Sequence, residues 1–377
     1  MKRSHILHVT DTLAIGGKER MLVSLANQLV SDGTDVSVSV TRSDTTLARE
    51  LDPSIPVVML DRRSSFDQAG FRRFLAFTSK HKPDLFHAHG RASFSFLAFL
   101  KTVHRISAPI LFHDHYGPIE IDEHVPTWFR LWGRFCVDYY VGVYSKLGEW
   151  AASAGVPAHK IGVIENGIDL RPFDEARACD LRTTYNLPRD KTIGVILGGL
   201  RPEKGLDLLV QAVARSTLGG QAHFLVVGNS QDERYVAACL DAMQAMNVAQ
   251  HFTLIGQQTA VPEILKGADF ALMPSRSESG PLVLIEYLAA GLPLVAFCVG
   301  AISKSAARLG VAGLVDPVDL EAFARELDCL LAMQPAELSA RGLRGQRIAQ
   351  ANFDIRKKMA EWHAAYEYVL ENRKRGV

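Results

Sequence analysis

Two carboxylates stand eight positions apart in "ESGPLVLIE", residues 278–286. Glu286 is the one charge in the run from Gly280 to Ser303. Its neighbours Val283, Leu284, Ile285, Tyr287 and Leu288 are apolar, so a helix here is mostly buried. A buried carboxylate without partners is costly. Glu286 therefore either forms a salt bridge with an Arg or Lys, or accepts hydrogen bonds from the hydroxyls of a bound sugar or ribose, and its position alone leaves both open. Glu278 precedes a Ser-Gly-Pro break. Pro281 suits the first position of a helix, where its missing N–H costs nothing. The free N–H groups and partial positive charge of such a terminus favour a phosphate.

A second chemistry is written in "HAH" (87–89) and "HDH" (113–115). Residues two apart on a strand face the same side. Two such pairs at strand ends suggest a metal centre and a metal-dependent hydrolase. Against this, Asp114 is the one nearby carboxylate, and it faces away from His113 and His115 if the strand continues. The other reading leaves most of these histidines as packing residues. A nicotinamide site would need GxGxxG after the first strand and an acid about twenty residues on. "IGGKER" (15–20) lacks that spacing.

These residues need a frame. Apolar strand candidates are "HILHVTD" (5–11), "DVSVSVT" (35–41), "PVVML" (56–60), "DLFHAHG" (84–90), "PILFHD" (109–114), "YYVGVY" (139–144) and "IGVIEN" (161–166). They alternate with helical stretches such as "KERMLVSLANQLVSDG" and "FRRFLAFTSKHK". A polar stretch with Pro172 and Pro188 reads as a linker. A second series follows: "TIGVILGG" (192–199), "HFLVVGN" (223–229), "FTLIGQ" (252–257), "FALMPS" (270–275) and "LPLVAFC" (292–298). Such alternation means parallel sheets covered on both faces. The expected layout is an α/β chain of two Rossmann-like doubly wound domains, 1–170 and 191–353, joined by a linker at 171–190. One helix at 354–377 packs back toward the first domain. Ligands of such sheets bind beyond the carboxyl ends of the strands, and a cleft between two facing domains is the expected site.

At 377 residues, two domains are the default. With 47% apolar and 22% charged residues and a net charge of +1, the chain lacks the basic excess of a nucleic-acid binder. Five scattered cysteines, Cys136, Cys179, Cys239, Cys298 and Cys329, fit a reducing, cytoplasmic compartment. The N-terminus "MKRSHILHVTD" has no apolar core long enough for a signal peptide. The run from Pro281 to Ile302 is long enough to span a membrane, but Glu286 and Gly291-Leu292-Pro293 break it into a helix and a strand. In "PTWFRLWGRFCVDYYVGVY" (126–144), Trp128, Leu131, Trp132 and Phe135 recur at helical spacing beside Arg130 and Arg134. An aromatic face packed on the sheet is the ordinary expectation here and in "FRRFLAF" (71–77). Contact with a membrane surface is the second reading.

The two glutamates with seven residues between them resemble the motif of retaining glycosyltransferases. Other stretches agree in order: "IGGKER" (15–20), "KPDLFHAHG" (82–90), "APILFHDHYG" (108–117), "GVPAHKIGVIENGIDLRPF" (155–173), "GGLRPEKGLDLL" (198–209) and "GADFALMPSRSESGPLVLIEYLAAGLPLVAF" (267–297). Together they resemble glycosyltransferase family four, with its GT-B fold, over nearly the whole chain. The resemblance implies a retaining, metal-independent transfer of a hexose-type sugar from a nucleotide-diphosphate sugar to a hydroxyl acceptor. Glycolipid, polysaccharide or other glycoconjugate synthesis is the setting, at the inner face of the membrane where the acceptor is lipid-linked. No cofactor and no bound metal are implied. Glu286 would hold the ribose. Glu278, with the backbone of Ser279, Gly280, Pro281 and Leu282, would hold the sugar's hydroxyls. Gly17 would let the first loop approach the phosphates, with Gly16, Lys18 and Glu19 on the acceptor side. Lys204 would neutralise the leaving diphosphate, and His115 would contact the sugar near its reacting carbon. One departure stands out: the family's arginine position is Gly199 here. Arg201 either reaches the diphosphate from two places on or is a solvated loop residue. A GT-B sugar-nucleotide epimerase is the nearest alternative.

Overall fold

The computed structural model describes residues 4–301 and 312–375. The chain folds into two compact units: Met1–Ile168 with Ile355–Val377, and Asp169–Asp354.

The first unit is built on a seven-stranded parallel sheet: β1 (His5–Thr10), β2 (Asp35–Val40), β3 (Val57–Met59), β4 (Leu85–His89), β5 (Ile110–Asp114), β6 (Tyr139–Gly142) and β7 (Ile161–Val163). Their order is β3-β2-β1-β4-β5-β6-β7. The helices are α1 (Gly17–Ser31), α2 (Gln68–His81), α3 (Arg91–Thr102), α4 (Thr127–Cys136) and α5 (Ser145–Ser153). β1, β4 and β5 are buried almost throughout, as central strands covered on both faces must be. α1 buries Met21, Leu22, Leu25, Ala26 and Leu29, an apolar stripe at helical period. α2 starts where the Asp67 carboxylate accepts the N–H groups of Ala69 and Gly70, an N-cap. It stops at left-handed Lys82, before Pro83. The helix Ile355–Arg375 returns to this unit and buries Trp362 and Tyr366.

The second unit holds a six-stranded parallel sheet: β8 (Thr192–Leu197), β9 (Ala222–Val227), β10 (Phe252–Leu254), β11 (Phe270–Met273), β12 (Leu294–Phe297) and β13 (Ala312–Val315). The order is β10-β9-β8-β11-β12-β13. Its helices are α6 (Arg171–Glu175), α7 (Leu181–Thr184), α8 (Leu206–Arg215), α9 (Glu233–Ala245), α10 (Val261–Gly267) and α11 (Leu282–Ala290), then Leu320–Leu331 and Pro335–Asn352. The expected irregular linker at 171–190 instead carries α6 and α7, which belong to this unit. β13 was not expected from sequence. The apolar run breaks as predicted: α11 ends at Gly291, whose φ of +77° is the left-handed cap glycine adopts most easily. Ile302 and Ser303, at the end of that run, lie outside the described residues, as do Met1–Arg3. Among the described residues no helix is long and apolar enough to cross a membrane.

Strand order reverses between β1 and β4 in the first unit and between β8 and β11 in the second. Doubly wound sheets bind their ligands at such switch points, beyond the carboxyl ends of the strands. The loops there are 11–16 and 90 in the first unit, and 198–205 and 274–281 in the second.

Candidate functional site

In the second unit, the loop after β11 lays Glu278 beside the loop after β8. Lys204 Nζ donates to Glu278 Oε1 at 2.6 Å, and Ser275 Oγ donates to the same oxygen at 2.8 Å. The Glu278 side chain is 8% exposed and that of Lys204 is 23% exposed. At that depth the pair is only partly screened by water. Gly205 makes the approach of the two loops possible. Its φ is +70°, and a Cβ there would stand 1.9 Å from the Pro274 carbonyl oxygen, so neither the conformation nor the space admits a side chain.

Arg201 does not share this contact. Its side chain is 45% exposed, and its guanidinium lies 3.7 Å from Glu203. Gly199, the departure noted in the sequence, faces the Gln231 amide, which a Cβ would meet at 2.6–2.8 Å. The space next to position 199 is thus taken by Gln231.

Three neighbours of this site were not singled out from sequence. Arg276 grips Asp207 through both guanidinium nitrogens, at 2.8 and 2.5 Å, and donates to the Pro202 carbonyl at 2.6 Å. That bidentate pair ties the Glu278 loop to the Lys204 loop. Burial pushes Asp207 up, but the hydrogen bonds from Arg276 and Tyr235 outweigh it and hold the carboxyl below its ordinary range. Gly300, with φ of +75°, lies against Glu278 and Ser279, and Ala301 N–H donates to the Ser279 carbonyl at 2.9 Å. Tyr287 Oη accepts from Leu197 N–H at 2.7 Å and donates to the Leu272 carbonyl at 3.2 Å, holding the ends of β8 and β11 together. None of these pairings has a sequence signal, because each joins residues brought close only by the fold.

Glu286 lies on α11, one residue before Tyr287, and is buried. Ser279, Pro281 and Leu282 are also buried, with Gly280 half-buried. The helix starts one residue later than expected: Pro281 is its N-cap and Leu282 its first residue.

In the first unit, Gly16 caps α1 and the exposed Gly17 opens it. Gly16 has the Glu19 carboxylate packed against it, 2.4 Å from where a Cβ would stand. Thr12 Oγ1 donates to Glu19 Oε1 at 3.1 Å. Lys18 pairs with Asp11 and, at 3.2 Å, with Glu19. Burial lowers the Lys18 ammonium, but Glu19 and Asp11 outweigh it and raise its pKa.

The histidines form one cluster. β1 and β4 pair His8 with His87, and β4 and β5 pair His89 with His113. Rings two apart lie against each other: His87 stacks on His89 with centroids 4.1 Å apart, and His113 packs at a tilt on His115 at 3.8 Å. His8 Nδ1 and His89 Nε2 share a 2.9 Å hydrogen bond, and His87 Nδ1 shares one of 2.9 Å with Tyr366 Oη. Trp362 closes the far side, 4.7 Å from the His113 ring. His115 is half-buried at the open end. Burial first, and Lys18 second, push its pKa down to about 3. It is therefore a neutral imidazole at pH 7, able to donate one hydrogen bond and accept another. Asp114 points the other way, as expected. It accepts from Tyr140 Oη at 3.0 Å and from Tyr116 N–H at 3.0 Å, with Arg91 at 3.4 Å, so it holds the turn that follows His115.

The expectation for α4 needs correcting. Phe129 is buried and packs on Phe112 and Phe94, but Leu131 is 60% and Phe135 69% exposed, and Trp128 is exposed with them. Arg130 and Arg134 flank this outward apolar stripe. In "FRRFLAF" the ordinary packing holds: Phe74 is buried on Phe86 and Phe96.

Two doubly wound sheets, each with polar residues gathered at its switch point, define a two-domain α/β protein of the GT-B class. Residues 15–171 match the model of Glycosyltransferase Family 4, and residues 180–342 match that of Glycosyl transferases group 1. The chain belongs to glycosyltransferase family four. It is 29% identical over 184 residues to a D-inositol 3-phosphate glycosyltransferase of Mycobacterium sp. (strain KMS), covering 48% of this chain and 41% of that protein. It is 24% identical over 220 residues to the N-acetyl-alpha-D-glucosaminyl L-malate synthase of Bacillus anthracis, covering 58% and 57%. The matched stretch thus spans about two fifths to three fifths of the length of these curated relatives. Among solved structures, Anabaena Alr3699/HepE in complex with UDP and glucose superposes with a TM-score of 0.80 at 18% identity, over 96% of this chain and 100% of that one. Sucrose-phosphate synthase of Thermosynechococcus elongatus gives 0.80 at 21% identity, over 98% and 100%.

Proposed function

We propose that this protein is a retaining glycosyltransferase that moves a hexose-type sugar from a nucleotide-diphosphate sugar to a hydroxyl acceptor, with no metal needed for the transfer. The observation that carries the reading is the Lys204–Glu278–Ser275 contact at the β8/β11 switch point, where a doubly wound sheet binds its ligand.

The roles are those the family resemblance implies, and the chemistry of the groups suits them. Glu278 and the backbone of Ser279, Gly280, Pro281 and Leu282 accept and donate to the donor sugar's hydroxyls, and Glu286 takes the ribose hydroxyls. Lys204 rests on Glu278 and turns to the diphosphate when the donor arrives. Charge builds on the diphosphate as the glycosidic bond breaks, so a cation there stabilises the transition state more than the ground state. Arg201, exposed and resting near Glu203, adds only a weaker, solvent-screened attraction to the diphosphate. Gly17, without a Cβ, lets the start of α1 approach the phosphates, with Gly16, Lys18 and Glu19 toward the acceptor. Neutral His115 hydrogen-bonds the sugar beside its reacting carbon. The acceptor hydroxyl attacks on the face the diphosphate leaves, its proton passing to the departing phosphate oxygen as the glycosidic bond breaks, and positioning supplies much of the rate.

The UDP and glucose bound by Alr3699/HepE make UDP-sugars the first donors to test here. The acceptor is a glycan, a glycolipid or a small hydroxyl compound. The outward stripe of Trp128, Leu131 and Phe135 between Arg130 and Arg134 suits peripheral contact with an anionic bilayer, at the cytoplasmic face. The test is a thermal-shift panel of UDP-, GDP- and ADP-sugars, since a ligand that binds only the folded state raises its melting temperature. Stabilisation by one series, followed by release of its nucleoside diphosphate, is expected. No stabilisation by any of them overturns the reading.

A further inference from the structure

The proposed transfer uses His115 alone among five clustered imidazoles. His8, His87, His89 and His113 are fully buried. Both ring nitrogens of His113, and Nδ1 of His89, have no hydrogen-bond partner among the described residues. A buried imidazole with both nitrogens unused is an expensive way to fill a core. The same geometry suits a Lewis acid. His89, His113 and His115 each offer a ligand atom, and these atoms lie within 4.8 Å of one another. A tetrahedral ion with bonds of about 2.1 Å sets its ligands roughly 3.4 Å apart, so small side-chain rotations close the set.

We propose that His89, His113 and His115 form a site for a divalent transition-metal ion such as Zn²⁺ or Co²⁺, and that its occupation inhibits transfer by drawing His115 away from the donor sugar. The second half rests on the role given to His115 above. Three neutral imidazoles and an open fourth position suit zinc and its neighbours in the transition series. A second set, His8, His87 and His89, meets the same spacing, but it is sealed. Its His87 is already tied to Tyr366 and its His8 to His89. A dication there would lose its whole hydration shell with no anion nearby, which is the costly case. The outer set ends at half-buried His115, nearer the surface, where the ion can keep a water. Lys18, the cation whose charge reaches His115, is itself paired with Asp11 and Glu19, which offset its repulsion of the ion.

The test uses the untagged full-length chain, stripped with a chelator. Titration with Co²⁺ is followed by its visible absorption, and Zn²⁺ affinity by competition with a chromophoric chelator. One ion per chain is expected. His89→Leu and His113→Leu should each weaken Zn²⁺ by at least about tenfold, since even outer-shell changes cost that much; His8→Leu should not. Thermal melts check that each variant folds, and His113→Gln replaces His113→Leu if that variant does not. Zn²⁺ should slow release of nucleoside diphosphate by the wild type and not by His113→Leu. No stoichiometric binding, unchanged affinity in both His89→Leu and His113→Leu, or loss in His8→Leu alone overturns the site and leaves a packed imidazole stack. Stoichiometric binding with an unchanged rate keeps the site, but overturns the inhibition and removes His115 from the sugar.

Discussion

Lys204→Ala separates what the ammonium does for catalysis from what it does for the fold. At rest Lys204 holds a nearly buried carboxylate at 2.6 Å. Its removal leaves Glu278 with Ser275 as its remaining hydrogen-bond partner among the described residues, a cost of about 1–3 kcal/mol. For a unit of this size each kcal/mol shifts the melting temperature by roughly 2–4 °C. In the transition state the missing contact is with the diphosphate, where a charge-assisted hydrogen bond is worth about 1.5–3 kcal/mol, or roughly ten- to a hundredfold in kcat. Arg201 is the internal comparison. It is 45% exposed and its partner Glu203 is 3.7 Å away, the range in which an ion pair contributes about 0.2–1 kcal/mol. Arg201→Ala is therefore expected to lose roughly two- to fivefold in kcat. Initial rates at saturating donor, with melting curves for each variant, are the assay. A Lys204→Ala enzyme that stays folded and keeps kcat within about threefold of wild type refutes the argument. An Arg201→Ala loss as large as that of Lys204→Ala places the guanidinium on the diphosphate as a full replacement for the arginine absent at Gly199.

Glu286→Gln is expected to weaken donor binding about ten- to a hundredfold with the fold intact; an unchanged calorimetric Kd leaves Glu286 as a structural residue. His115→Ala and Glu278→Ala should cut turnover strongly while the nucleoside diphosphate still binds, and a defect in His113→Ala instead of His115→Ala moves the assignment back by two residues. Asp207 is held below its ordinary carboxyl pKa of 3.8, so the unfolded chain takes up its proton first as the pH falls. Its stabilisation is complete above that value and is lost as pH drops through the lower folded one; Asp207→Asn should flatten the acid limb of the stability curve, and an unaltered limb refutes this. Transfer should persist after treatment with a strong chelator, and its loss would return the histidines to a catalytic metal.

The strands at the two switch points were legible because central parallel strands are continuous apolar runs. β1, β4, β8 and β11 all lie within the predicted segments. Their ends fall one or two residues short of the predicted segments, since the turn residues Gly198 and Pro274 were read as part of the apolar run. β13, Ala312–Val315, is four small and branched residues with no periodicity to read. The histidine pairs showed in the sequence, but the third strand of the cluster did not: His8 sits in an ordinary-looking first strand, and only the register with His87 gives it meaning. Asp207 and Arg276 are 69 positions apart, and nothing local marks them as a pair. α4 misled because helical spacing of aromatics states that one face is apolar, not which way that face points.

The path of the chain has a consequence for its synthesis. The first unit is assembled from two stretches, 1–168 and 355–377, while the second is one continuous stretch between them. A ribosome adding about 5–20 residues per second needs roughly 10–40 s to pass through 169–354 before the closing helix emerges. Through that interval the nascent first unit has its β4 and β5 histidines without Trp362 above them and without the Tyr366 hydroxyl for His87. The second unit can complete its own sheet while the first is still waiting. The part of the chain made first is thus the part finished last, and its unfinished face is what a chaperone at the exit tunnel would meet.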